Sequence, residues 1–385
     1  MTHELRESQR RALQHMEDAA MRRRYGAVAS IRTAVATAGI SWRRFDAAMR
    51  TVMANPRLNV HFHPERLARD GRTVAEGLLV HGRLRSQFET GISSGSPTAY
   101  AGGERDEWER RLFGAAYHAD GVSDADRPKY GALQVLAHPD GASPRFGSCF
   151  FVLREHVAER CSFTFGGSQE DDALDRAGTL TVFEPVLAAL VDALGRRKGA
   201  FGDDQLRLEA LVTRLVAAPE TQGSEFGTRL GRALDSFIEA QIHGPVDLRT
   251  DVRALVADPA FRGGAIGDAL RELCARFDLP LTWHPGFVLP VSKVPAHFRG
   301  YALTDLAARV ARDGMVDAAA IGDAANAAER DPAAWGGHPR ESIDEMRTQF
   351  RRLWHALVLY GAPRIRALGC DGSSSTPRLG HRPPG

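Results

Sequence analysis

LNVHF at 58–62, GLLVHG at 77–82, YGALQVL at 130–136, GSCFFVL at 147–153 and CSFTF at 161–165 set the expected fold class. Each is short and apolar, and Gly, Pro, Asp and Ser separate them, which is the punctuation of strands in an antiparallel or mixed sheet. Several hold apolar residues at consecutive positions, as strands buried on both faces do. EAQIHGPV at 239–246 reads as one more short strand, stopped by Gly244 and Pro245.

Helical pattern lies on both sides of these runs. Residues 4–54 are rich in Ala, Arg and Met at helical spacing and read as two or three helices. FEPVLAALVDALG at 183–195 and QLRLEALVTRLV at 205–216 are the clearest helices of the middle. Residues 247–277 read as helical, 280–294 as extended and Pro-punctuated, and 303–359 as helical again. No internal repeat is found. The expected class is α+β, with an N-terminal helical segment (1–56), a sheet-bearing core (57–300) carrying a helical insertion near 171–235, C-terminal helices (301–368) and a tail (369–385). The tail, with few apolar residues to offset the cost of ordering, is expected to be flexible.

Composition narrows the function. A chain of 385 residues that is 43% hydrophobic and 25% charged has material for a large core. Its 50 Lys and Arg against 48 Asp and Glu leave a net charge of +2, so no nucleic-acid partner is expected from charge. Cys149, Cys161, Cys274 and Cys370 form no CxxC pair and read as buried or incidental thiols. The longest apolar stretch, 180–194, is broken by Glu184, Pro185 and Asp192, so no membrane span is expected, and the polar start lacks a secretory leader.

Residues 76–130 are the densest in chemistry. His81-Gly82 is expected at the end of an apolar strand, where glycine lets backbone groups approach a ligand, and Arg83 and Arg85 beside it suit phosphate oxygens. ETGISSG looks helix-like, and a Gly-rich strand is expected to end at Tyr117. GGERDEWERR at 102–111 reads as a solvated loop entering a short helix, and Trp354-His355 and Trp283-His284-Pro285 as packing residues.

The order of these parts resembles the ADP-ribosyltransferases of the His-Tyr-Glu type. That resemblance implies a mixed-sheet core, NAD as substrate, His81, Gly82 and Arg83 at its nicotinamide end, and Tyr117 stacked on the ring. It also implies Glu239 on the ribose, with Gln87 and Ser93 as further NAD-binding residues. The blocks HFHP (61–64), SQFETGIS (86–93), RPKYGAL (127–133), FGSC (146–149) and EAQIHGPVDL (239–248) are similar to those of a bacterial family of domains of unknown function. That family in turn resembles CteC-type effectors, which pass ADP-ribose to a threonine of ubiquitin and block ubiquitination. The likeness implies an Asp and Glu pair, with Glu239 as the Glu and Asp247 as the nearest Asp. It also implies a protein partner, ubiquitin, met in the cytoplasm or in a host cell reached by a leaderless route.

The chemistry needs such groups. Breaking the nicotinamide-ribose bond develops an oxocarbenium-like charge that a fixed carboxylate stabilises, and an acceptor hydroxyl profits from a second carboxylate as base. Arginine-modifying transferases carry Gln or Glu two residues before the catalytic Glu. Phe237 stands there, which points away from an arginine acceptor. Two other readings remain open. One is a metal-dependent hydrolase, since His61 and His63 at a strand end share a face and His243 and His284 could join them. The other is a non-catalytic protein-binding adaptor. No GxxxxGK[ST] or strand-borne GxGxxG occurs, which disfavours an NTPase or a Rossmann dehydrogenase.

Overall fold

The computed structural model describes residues 4–92, 99–217, 229–335 and 340–364. Eight strands form its main sheet: β1 (Leu58–Phe62), β2 (Lys129–Leu133), β3 (Cys149–Leu153), β4 (Cys161–Phe165), β5 (Ala177–Thr179), β6 (Ile238–Ile242), β7 (Val252–Ala257) and β8 (Leu281–Trp283). Their order is β5-β4-β6-β2-β1-β3-β7-β8. Neighbours run antiparallel except β7 and β8, so the sheet is mixed.

The helices in chain order are α1 (Glu7–Thr37), α2 (Trp42–Ala54), α3 (Val74–His81), α4 (Gln87–Thr90), α5 (Glu104–Leu112), α6 (Glu184–Gly195), α7 (Leu208–Ala217), α8 (Ala265–Phe277), α9 (Thr304–Val310), α10 (Ala318–Arg330) and α11 (Arg340–Tyr360). None among the described residues is long and apolar enough to cross a membrane.

Strand alternation divides the sheet into two unlike faces. Leu58, Phe151, Phe163, Ala240 and Leu255 point into a core shared with Ile31 of α1, Phe45 of α2, Leu190 of α6 and Leu211 of α7. The other face carries Asn59, His61, Ser162, Thr164, Glu239 and Gln241, all buried. Buried polar groups must find hydrogen-bond partners, so this second face is where the polar chemistry concentrates.

The sheet is weakest at its middle. β1 pairs with β3 through Phe62 and β2 with β6 along its whole length, whereas β1 and β2 pair only at Leu58 with Leu133 and Asn59 with Ala132. Beyond those two pairs the ladder stops. Two half-sheets therefore meet at one end of β1 and β2 and part at the other.

Three expectations are corrected. GLLVHG is not a strand but the body of α3: Thr73 and Glu76 form a reciprocal capping box, and Gly82 closes the helix in the left-handed conformation at φ 65°. Tyr117 does not end a strand. It sits in a 3-10 turn, Ala116–His118, entered through Gly114 and Ala115, both at positive φ. Residues 247–277 are not one helical stretch, because VRALVA forms β7 between β3 and β8 before Gly263 and Gly264 lead into α8. A run of small and branched apolar residues suits either element, and burial on both faces selects the strand here. The tail expected at 369–385 lies outside the described residues.

Candidate functional site

A cavity of about 370 Å³ opens where the half-sheets part. His61 and His63 line it from the β1 side, Lys129 and Tyr130 from β2, and Glu239 from β6. Arg83 and Gln87, just after α3, contribute to the wall, as do Arg105 and Trp108 of α5. Arg145 and Phe146 follow from the turn before β3, and Arg351, Arg352, Trp354 and His355 from α11.

The charges on this largely apolar wall are nearly all of one sign. Arg66, Arg83, Arg85 and Arg105 line it together with Lys129, Arg145, Arg351 and Arg352, against the single carboxylate of Glu239 among the described residues. Some of the cations are held by acids behind the wall. Arg83 forms a fork on Glu89 at 3.1 and 2.6 Å, and Arg85 reaches Asp70 at 3.1 Å. Glu89 also caps α4 by accepting the Ser86 N–H, so Arg83 is fixed to the start of a helix. Arg105 lies over the Tyr130 ring at 4.6 Å and the Trp108 ring at 5.0 Å, which presents a cation between two aromatic faces.

Burial and neighbouring guanidinium groups hold Arg351, Arg352 and His355, the basic groups of α11 that line the cavity, below their ordinary values. Arg351 is lowered first by burial and then by Arg352 and Arg145. His355 is lowered well below the usual imidazole range by burial, then by Arg145, and its Nδ1 has no partner. Burial also pulls the Lys129 ammonium down to about 8, against Glu89, which pulls it up. A cluster of mutually repelling cations is a site that an anion relieves.

Glu239 is 4% exposed, and its Oε1 accepts from Gln241 Nε2 at 3.0 Å. In register it faces Ala132 on β2 and Thr164 on β4, so two central strands hold its backbone.

Of the residues expected at the site, Arg83, Gln87 and Glu239 meet on one cavity wall. His81 and Gly82 are not among the lining residues: His81 is an exposed helix end, and Gly82 accepts the Leu248 N–H and packs against Phe277. Tyr117 is also absent from the wall; it is buried, and its hydroxyl meets His243. Asp247 is absent as well, and its Oδ1 accepts the Arg249 and Thr250 N–H groups of a turn. Ser93 lies outside the described residues.

The histidines considered as metal ligands are each engaged with other groups, although His61 feels both His63 and His284. His61 accepts the Ser143 N–H at Nε2, so its Nδ1 donates to Gly147 O, and burial lowers it to about 3. Gly147 approaches so closely that a Cβ would meet the Phe62 carbonyl at 2.2 Å. His63 faces Glu65 at 3.3 Å, His284 meets Ser148 O, and His243 lies with Tyr117 and Ser162. Among the described residues no three His, Cys, Asp or Glu side chains converge as a metal site. Cys149, Cys161 and Cys274 are buried free thiols, and burial pushes Cys161 and Cys274 up to about 12.

Residues 57–360 match the family described as "Protein of unknown function (DUF3626)". The chain belongs to that family. The match begins at the residue before β1 and ends with α11, so both half-sheets and every element named on the cavity wall fall inside it. Comparison with curated proteins gives no match.

Sequence reasoning missed Lys129, Tyr130, Arg145, Arg351 and Arg352, and it read Trp354 and His355 as packing residues. Lys129 and Tyr130 stood inside the quoted RPKYGAL block. For α11 the only local signal is RRLWH, whose arginines look like an ordinary solvent face.

Proposed function

We propose that this protein is a mono-ADP-ribosyltransferase that takes ADP-ribose from NAD and passes it to a protein hydroxyl, with a threonine of ubiquitin as the acceptor suggested by the likeness to CteC-type effectors. The observation that carries this reading is the Glu239 carboxylate, the one acid among the described lining residues, facing a cavity whose other full charges are cations, at a parting between half-sheets. NAD has the matching charge pattern. Its two phosphates call for guanidinium donors, and its nicotinamide-ribose end, already positive, calls for one anion.

In the reaction the bond from ribose C1′ to the pyridine nitrogen breaks, and its electron pair leaves with neutral nicotinamide. A bond forms from the acceptor oxygen to C1′, and the hydroxyl proton passes to solvent. Glu239 opposes the positive charge that builds on the ribose between these events. Arg351 and Arg352 are suited to the phosphates, and Trp108 and Tyr130 offer ring faces to the bases. Asp247, engaged with its own turn, has no part in this reading.

The test is nicotinamide release from NAD, with and without ubiquitin. Glu239→Gln keeps the shape of the side chain and removes its charge, and is expected to lower release by about 100-fold or more with an unchanged melting temperature. Ubiquitin incubated with the wild type should gain the mass of one ADP-ribosyl group. Undiminished turnover in the variant ends the proposal.

A further inference from the structure

Glu239 begins a line of side chains that runs along β6 away from the cavity. Alternate residues share a face, so Glu239, Gln241 and His243 stand in a row. Gln241 Nε2 donates to Glu239 Oε1 at 3.0 Å and to Thr164 Oγ1 at 3.1 Å. An ionised carboxylate only accepts, so the amide oxygen must face the other way, toward Ser162. Ser162 Oγ donates to that oxygen at 2.9 Å.

With its proton committed there, Ser162 Oγ can only accept from His243 Nε2, 3.0 Å away. A neutral imidazole protonated at Nε2 has a bare Nδ1, and the Tyr117 hydroxyl donates to it at 2.5 Å. Every member of the line is buried. Burial, then Arg160 and Lys129, lowers His243 to about 3, so the ring carries one proton at working pH. Phe113 stands edge-on to both the Tyr117 and the His243 rings, which fixes their tilt.

We infer that Tyr117, His243, Ser162 and Gln241 are positioning residues for Glu239, a one-way series of hydrogen-bond donors that ends on its carboxylate and holds it in one orientation. The inference rests on the transferase reading of Glu239. Each donor polarises the next, and the final amide proton points at an oxygen that accepts in every protonation state the reaction needs. It also explains how Tyr117, remote from the cavity wall, can matter to chemistry there.

Two variants test this with NAD as the probe. Gln241→Glu replaces the last donor by an acid beside Glu239, so two carboxylates share one site and the proton is lost later. The acid limb of the pH profile for nicotinamide release is expected to move up by about one unit or more. Arg145 and Tyr130 also feel Glu239, and neither is altered. Tyr117→Phe deletes one hydroxyl at the far end. Its kcat should fall about tenfold while KM for NAD stays within about twofold.

A packing role alone would leave kcat unchanged in Tyr117→Phe, which keeps the ring and removes only the hydroxyl. Tyr117→Phe carries the test should Gln241→Glu fail to fold. Nitrogen-15 shifts of His243 in the wild type should report the Nε2-protonated tautomer, and the opposite tautomer overturns the donor direction. A wild type that releases no nicotinamide overturns the transferase reading and this inference together. Release by the wild type, with an unchanged kcat in Tyr117→Phe, overturns the positioning series alone.

Discussion

Asp258 shows how a single buried acid couples to pH away from the cavity. It caps the turn Pro259–Phe261 through the Ala260 N–H at 2.8 Å, yet its Oδ2 has no hydrogen-bond partner. Burial raises it to about 6, with His284 pulling the other way. Between the ordinary carboxylate value and 6 the folded chain holds more protons than the unfolded one, so this group costs stability as pH rises through that window. Asp258→Asn cannot ionise and keeps an oxygen for the cap. Relative to the wild type, the variant should gain about 1–3 kcal/mol between roughly pH 4.5 and 7.5, read by urea unfolding at both. An unchanging difference would show that Asp258 titrates normally. At this scale the chemistry of Glu239 was readable as a carboxylate on a strand, and alternation already aligned Gln241 and His243 with it. Ser162 and Tyr117 were not readable as partners, because 79 and 126 residues separate them from Gln241 and His243.

Among elements, α11 does the most to turn a sheet into a site. Phe350, Leu353, Trp354 and Leu357 enter the core, and Trp354 Nε1 donates to Pro144 O at 2.9 Å, which docks the helix on the turn that carries Arg145. Arg351, Arg352 and His355 then face the cavity. Reversing two of these charges, Arg351→Glu with Arg352→Glu, should raise KM for NAD about tenfold or more. The melting temperature should stay close to wild type, since both side chains are only partly buried. An unaltered KM would place the phosphates elsewhere. The helices within 303–359 were legible, but the short strand Met315–Asp317 between α9 and α10 was not, nor was the neighbour of each helix face, because periodicity assigns a face and leaves its partner open. The same limit explains α3. Thr73 and Glu76 signal a helix start ahead of GLLVHG, and the apolar run outweighed that signal in a strand reading.

The whole molecule is more continuous than its segments suggest. One core cluster runs from Ile31 and Phe45 through the sheet to Trp354 and Val358, so α1, α2 and α11 share apolar surface with the central strands. The family match starts after α2, yet Leu190 and Leu211 pack into the cluster that α1 and α2 complete. A fragment of residues 57–360 should therefore melt at least about 5 °C below the full chain and bind a hydrophobic dye, since removing two helices returns apolar area to water. A fragment as stable as the full chain would make those helices an independent unit. Local spacing was enough to place strands within 58–62, 130–136, 147–153, 161–165 and 239–246, the amphipathic helices, and a carboxylate in the EAQIHGPV run, because periods of two and of 3.6 act between near neighbours. It took the packed molecule to part β1 and β2 after two pairs, to bring arginines from five separate regions around one glutamate, and to set the Tyr117 hydroxyl on His243 away from the wall. Those facts depend on which faces pack together, a choice made by burial of distant surfaces against each other and not by any local spacing.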